Sequence, residues 1–271
     1  MTAFTPTQVP SRNNLWTGFV VQCRVIGALI LRELHTRYGR ENIGYLWLVA
    51  EPMLLASVIG SLHMTGHTEY GSDIHPLPFT IVGYTTFIQF RGIVNRSEGA
   101  VEANAPLLYH RMVSIFDIVM SRALIEAAGC LIAYLLLMTF LIGIGLANFP
   151  ARPIYYMLAL LFMFWVSLIH SLIIAAISHE NRTVGRLVHP YTYFMIPLSG
   201  AFFQMSWISE PYRSWLGWFP LTHILEMARY GQFHSANLKY VNIGYLTAVC
   251  LVGTWVGLTA VKLLRNRIHL S

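Results

Sequence analysis

Between Glu126 and Arg152 the sequence carries no charged side chain, and from Pro153 to Ser178 it again has no Asp, Glu, Lys or Arg. Two uncharged runs of that length constrain the fold more than any other feature. A bilayer core of about 30 Å takes about 20 residues of helix to cross, and in lipid a helix satisfies its own backbone N–H and C=O groups. Only 11% of the 271 residues are charged, against about 25% in an ordinary soluble domain, so much of the surface must face lipid rather than water. The net charge of +6 does not point to nucleic acid. The basic residues form short clusters between apolar runs, which is the pattern of membrane flanks.

Six segments qualify as spans: about 44–62, interrupted by Glu51-Pro52; 77–94, with Gln89 and Arg91 near its end; 118–147; 153–178; 187–205; and 241–261. Arg12, Arg24, Arg32, Arg37 and Arg40 precede the first span, and Arg91, Arg96, Arg111 and Arg122 cluster around the second connection. Arg182, Arg186, Lys262, Arg265 and Arg267 fall on the same side, leaving Arg152, Arg213, Arg229 and Lys239 on the other. The positive side faces the cytoplasm, so both termini are predicted there. The predicted organisation is all-α integral membrane: a cytoplasmic N-terminus over 1–43, six transmembrane helices over 44–264, and a cytoplasmic tail over 265–271. Met1–Asn14 lacks the basic start and apolar core of a cleaved signal peptide and is expected to be retained.

Two segments are not simple spans. Trp16, Phe19, Val20, Cys23, Ile26, Ile30 and Leu34 fall on one helical face, with Arg24 and Arg32 opposite. That pattern predicts an amphipathic helix in the cytoplasmic interface plane; the other reading is a seventh span broken by Arg24. Over 206–235, Trp207, Trp215 and Trp218 are interspersed with Pro211 and Pro220 in pieces too short to cross. Tryptophan favours the membrane interface, so two short re-entrant helices dipping in from the outer face are predicted before the last span.

No Gly-x-x-x-x-Gly-Lys-Ser/Thr phosphate loop occurs, nor HExxH, Gly-x-Ser-x-Gly or Cys-x-x-Cys. Cys23, Cys130 and Cys250 sit in apolar segments without partners at ligand spacing, and read as small buried hydrophobes. His63, His67 and His75 share one outer loop without a supporting carboxylate pattern, so no metal is expected. A secondary transporter would place acidic residues near mid-membrane, where only Glu51 and Glu126 are candidates, and a membrane transferase would gather carboxylates or histidines at one interface, where none converge. Ionisable residues in spans carry a functional expectation because burying them is costly. Arg122 and Glu126, at i and i+4, are expected to form a structural salt bridge.

The stretch Leu31-Arg32-Glu33-Leu34-His35-Thr36-Arg37-Tyr38-Gly39, followed by Gly44-Tyr45-Leu46-Trp47 and Glu51-Pro52, resembles the approach to the first span in polysaccharide-exporting ABC permeases. Asn95-Arg96-Ser97-Glu98-Gly99-Ala100-Val101-Glu102-Ala103-Asn104 is similar to the cytoplasmic connection of the capsular-polysaccharide branch, and Ser121–Glu126 and Pro220–Glu226 also match. The likeness covers nearly the whole chain in order and departs in the first outer loop and the tail. It implies the permease of a type 2 ABC exporter in a Gram-negative inner membrane: two copies of the chain, two ATPase subunits that bind ATP and Mg in trans, a lipid-linked capsular polysaccharide, and periplasmic co-polymerase-like and outer-membrane export partners. No cofactor is expected in this chain, and a sister branch exporting O-antigen or teichoic acid is the alternative.

A sugar polymer needs hydrogen-bonding groups with aromatic platforms. Tyr84, Phe87 and Arg91 share a face, and Tyr45, Trp47 and Glu51 are their expected neighbours along the path. Arg32, Arg37 and Tyr38 are placed at a gate for an anionic, lipid-linked substrate. The ATPase-coupling candidates are Asn95, Arg96, Glu98, Glu102 and Asn104 within the connection 95–111. There the Asn95…Glu98 spacing predicts the start of a short helix and Pro106 its stop.

Overall fold

The computed structural model describes residues 15–38, 44–63, 73–109 and 113–268, and among them the chain forms helices and no strand. The long elements are α1 (Leu15–Tyr38), α2 (Gly44–His63) and α3 (Pro76–Asn95), then, after a short α4 (Ala105–Tyr109), α5 (Ile115–Gly143), α6 (Pro153–Glu180) and α7 (Arg182–Ser199). A brief α8 (Tyr212–Leu216) and a buried α9 (Pro220–Gln232) precede α10 (Ile243–Ile268).

Local chemistry sets the boundaries and moves several from where hydropathy puts them. The third span begins at Ile115 rather than 118 because Ser114 and Asp117 form a reciprocal capping box, the Ser114 side chain accepting from Asp117 N at 3.2 Å and the Asp117 carboxylate from Ser114 N at 3.0 Å. It ends at Gly143, four residues before the expected 147, ahead of Gly145 at φ +78°. Pro153 supplies the first turn of α6. The helix expected as a fifth span, α7, starts at Arg182, not 187, because Asn181 accepts from Thr183 N at 2.9 Å, and it closes at left-handed Gly200 rather than fading to 205.

Among the described residues, four helices are long and apolar enough to cross a membrane: Leu15–Thr36 of α1, α5, α6, and Ile243–Arg265 of α10. The chain is thus an all-helical membrane protein. α3 falls outside that group for a structural reason. It packs against α2, α5, α6, α7 and α9, and a helix shielded by protein can carry polar side chains. Thr85 and Thr86 bond back to Ile81 O and Val82 O at 2.7 Å, and Gln89 donates to Leu160 O at 3.2 Å. On the opposite flank, Gly253 and Gly257 let α10 pack closely on Ile169 and Leu172 of α6, while Leu251, Val252 and Trp255 face outward.

The bundle has two dissimilar ends. At the basic end lie α1, the turn 96–101, α4, the start of α5 and the α6–α7 junction, with Arg32, Arg96, Arg122, Arg182 and Arg186. At the aromatic end lie the segment 200–219, α8 and both termini of α9, where Trp215 and Trp218 are 75% and 74% exposed. α9 is only 13 residues long; Thr222 near its start donates to Leu198 O and Gln232 at its end to Asn148 O. It therefore enters and leaves at the same end, packed against α3, α6 and α7.

α1 meets α5 through Gln22–Asp117 (3.0 Å), Leu29–Ile118 and Glu33–Arg122 (3.1 Å). Eleven residues of α1, about 16 Å of axis, thus touch five residues, about 8 Å, of α5. The two helices cross rather than run side by side. Trp16, Phe19 and Cys23, from the face read as apolar in the sequence, remain exposed.

Candidate functional site

The basic end gathers the connection between α3 and α5 into a junction with three other elements. Helix α3 runs through Asn95, and residues 96–101 form a turn rather than the helix predicted to begin at Asn95. The reason is that Asn95 is committed elsewhere, its side chain accepting from Thr192 Oγ1 of α7 at 2.9 Å. The reciprocal cap occurs instead at Ser114, and Pro106 sits in the first turn of α4 instead of stopping a helix, because that turn needs no N–H from it. Glu98 lies 3.7 Å from His189 Nε2 on α7, and Glu102 lies 2.7 Å from His179 Nδ1 near the end of α6. Asn104, buried, donates to Ala100 O at 2.8 Å and accepts from Arg32 of α1. The five coupling candidates therefore come together, tied to α1 on one side and to the α6–α7 junction on the other.

The pair expected between Arg122 and Glu126 is replaced by cross-helix contacts. Arg96 donates to Glu126 at 3.0 Å, while Arg122 reaches Glu33 at 3.1 Å and Arg96 O at 3.0 Å. Two charges four residues apart on a helix stabilise it by only about 0.2–0.5 kcal/mol, too little to hold them together when other helices offer partners.

Beside this junction is a cavity of about 360 Å³ between α2, α3, α5 and α7, whose polar lining is Glu51, Arg91, Asn95, Arg96, Glu126 and His189. It unites two path candidates, Glu51 and Arg91, with two coupling candidates. The Arg91 guanidinium lies 3.8 Å over the Tyr193 ring. Tyr84 and Phe87 share α3 with Arg91 but lie inside the bundle: Tyr84, 3% exposed, stacks on Phe202, and Phe87, 0% exposed, packs on Phe90. The side chains of Arg37, Tyr38, Tyr45 and Trp47 lie outside the described residues.

At the aromatic end one residue carries more contacts than its sequence context suggests. Arg229, 1% exposed, donates to Phe203 O at 2.6 Å, Gly200 O at 2.5 Å, Ala201 O at 3.0 Å and Glu226 at 3.1 Å, with its guanidinium 4.3 Å from the Phe79 ring. Glu226 also accepts from Met205 N at 3.1 Å. A Cβ on Gly83 of α3 would overlap Ala201 O, so backbone meets backbone there. Sequence reasoning placed Arg229 among loop cations. The usable signal was its i, i+3 spacing from Glu226 in a segment flanked by apolar residues.

Residues 24–233 match the ABC-2 type transporter family. The chain belongs to that family. It is 36% identical over 251 residues, 93% of this chain and 95% of the relative, to the capsule polysaccharide export inner-membrane protein CtrC of Neisseria meningitidis serogroup B. It is 35% identical to BexB of Haemophilus influenzae, of the same description, over 90% of this chain and 92% of the relative. The polysialic acid transport protein KpsM of Escherichia coli is 31% identical over 89% and 94%. The part of this ABC-2 chain that matches the family runs from within α1 to the end of α9, and so contains the basic junction, the cavity and the buried arginine.

Outside the spans of this ABC-2 protein, two loop carboxylates are held below their ordinary pKa by hydrogen bonds. Asp73 accepts from His234 N at 2.6 Å and Ser235 N at 3.1 Å. Partial burial pushes its pKa up, but hydrogen bonds from Ser235 and His234 outweigh it and hold the carboxyl below its ordinary value. Glu210 is likewise lowered, chiefly by the Ser214 hydroxyl at 2.6 Å.

Proposed function

We propose that this chain is the membrane-spanning subunit of an ATP-driven exporter that moves lipid-linked capsular polysaccharide across the inner membrane of a Gram-negative bacterium. The observation that carries the reading is the near end-to-end likeness to three capsule and polysialic acid transport proteins within the ABC-2 family. The sequence has no phosphate loop, so ATP and Mg belong to separate ATPase subunits; two of these serve two copies of this chain. Periplasmic and outer-membrane export proteins take the polymer onward.

In this reading the basic end faces the cytoplasm, placing both termini there. α2, α3, α5, α6, α7 and α10 are the six spans, and α8 and α9 are the re-entrant pieces. α1 lies in the interface, supported by its crossing of α5 and its exposed Trp16 and Phe19. Force from the ATPase pair enters at the junction of Glu98 and Glu102. Because those carboxylates touch α7 and the end of α6, displacement there is transmitted directly to two spans. The substrate passes the Arg91 face of α3, with Arg32, Arg37 and Tyr38 at the gate.

The test is deletion of the gene in the producing organism. Surface polymer should disappear, intracellular polymer should accumulate, and a wild-type copy should restore export. The purified chain alone should hydrolyse no ATP, and should acquire activity with the ATPase encoded beside it. Hydrolysis by the chain alone, or undiminished surface polymer in the deletion strain, would overturn the proposal.

A further inference from the structure

We infer that the cavity between α2, α3, α5 and α7 is a binding site for a hydroxylated anion, an acidic sugar or a sugar phosphate, with Arg91 taking the anionic group and Glu51 a hydroxyl. The inference deepens the export reading, on which it rests for the source of such a ligand. Among the charged groups lining the cavity, most are committed: Arg96 to Glu126 at 3.0 Å, and His189 to Glu98 at 3.7 Å. Two are not. Among the described residues, neither Glu51 nor Arg91 has a hydrogen-bond or ion-pair partner, and they form no pair with one another although both line the same space.

A charge within a membrane bundle persists only if it is paired, hydrated or serves a ligand. Among the described residues, the Arg91 guanidinium packs on the Tyr193 ring, which covers one of its faces. The ring leaves all five in-plane N–H donors free and fixes the plane in which they point, the arrangement that favours a bidentate carboxylate or phosphate. Glu51 offers the complementary chemistry, since an ionised carboxylate accepts hydrogen bonds and gives none. A bare anion would meet Arg91 but be repelled by Glu51, and a simple cation the reverse. A ligand that satisfies both carries a negative group and hydroxyl donors on one small frame. The volume of about 360 Å³ falls within the range of small-ligand sites, about 300–1,000 Å³. Gly92 helps keep the space open: a Cβ there would come within 3.0 Å of Glu126 Oε2 and press on its pairing with Arg96. Arg91 lies about one turn inside the end of α3 at Asn95, close to headgroup depth. Both an acidic residue of the polymer and the phosphate joining polymer to lipid can reach that level.

Binding is read by native mass spectrometry of the full-length chain in a polyoxyethylene detergent, which contains no sugar. The probes are dodecyl glucuronide, a dodecyl glucose phosphodiester, neutral dodecyl glucoside, and dodecanoate as an anion without hydroxyls. Both acidic glycosides should bind at least about tenfold more tightly than the neutral glucoside, the scale of one charge-assisted hydrogen bond. Arg91→Gln should abolish that preference, and Arg91→Lys, which keeps the charge but not the fork, should restore part of it. Glu51→Gln, at an exposed position that folding tolerates, should weaken both glycosides and strengthen dodecanoate, which no longer meets a repelling carboxylate. Tighter binding of the glucuronide assigns the anion to the polymer's sugar, and tighter binding of the phosphodiester assigns it to the lipid junction; either supports the site. Equal binding of acidic and neutral glycosides by the wild type, a preference that survives Arg91→Gln, or acidic-glycoside binding that Glu51→Gln does not weaken, overturns it. Export in cells is scored separately, so a failed site leaves the export reading standing.

Discussion

Arg91 and Arg229 are the same side chain in two regions of one bundle, and they are treated in opposite ways. Arg229 at the aromatic end is sealed, with three backbone carbonyls and a carboxylate around its donors and a ring against its face. Arg91 at the basic end packs on the Tyr193 ring, has no hydrogen-bond or ion-pair partner among the described residues, and opens on a cavity. A guanidinium with filled donors fixes backbone segments relative to one another; one with empty donors is available to something not yet present. The contrast separates architecture from action more sharply than burial does, since the buried aromatic residues Tyr84 and Phe87 also belong to the architecture.

The comparison breaks first on stability. Arg229→Gln should cost about 3–5 kcal/mol, because carbonyls and the Glu226 carboxylate lose their partner inside the bundle, and the protein should fail to run as a monodisperse peak on size exclusion. Arg91→Gln should leave the unfolding temperature nearly unchanged. Equal losses would mean that both arginines are structural. A smaller effect is expected where the two regions are probed through glycines of α3. Gly83→Ala forces a methyl into the Ala201 carbonyl held by Arg229 and should destabilise by about 1–3 kcal/mol. Gly92→Ala meets only the tip of Glu126, a side chain able to yield, so its loss in thermal unfolding should be well below that of Gly83→Ala.

The basic end should answer in coupling instead of stability. Reversing Glu98 and Glu102 to Lys should change the unfolding temperature little, since these partly exposed pairs contribute about 0–1 kcal/mol, while the ATPase is lost on affinity purification. A double variant that retains the ATPase and exports normally would move the point of force to α1 or the α6–α7 junction. The smallest effect belongs to Asp73. Its folded pKa lies below the ordinary value of 3.8, so its contribution is fully present above that value and is lost as pH falls through the folded pKa. A wild-type unfolding midpoint that falls between about pH 4 and pH 3 more steeply than that of Asp73→Asn would show it.

Much of this architecture is legible in the chain. The uncharged runs give α5 and α6 directly, Pro153 marks a helix start, and the Trp-rich segment 206–235 announces pieces that do not cross. The connection 95–104 is readable as a segment whose polar residues meet other helices, but its first half is a turn and not the expected helix. What periodicity does not contain is which helix a face meets. Tyr84, Phe87 and Arg91 do share a side of α3, yet the first two are buried, Tyr84 against Phe202 and Phe87 against Phe90, and only the third reaches open space. For the same reason Arg122 and Glu126 looked like a pair along one helix, when Glu33 and Arg96 approach from others. Arg229 resembled a loop cation because its acceptors are backbone oxygens, which leave no trace in side-chain identity.

The brevity of α9 has a consequence for how the protein is made. Thirteen residues fall well short of the length a bilayer retains on hydropathy alone, so this segment is held by a slot and not by lipid. The walls of that slot, α3, α6 and α7, all emerge earlier from the ribosome. Assembly therefore has a fixed order, slot before plug, and a chain ending at Phe219 would lack both α9 and α10 and leave the slot at the aromatic end unfilled. Until Arg229 arrives, the carbonyls of Gly200, Ala201 and Phe203 depend on water, and that interval is when a quality-control protease has its opportunity.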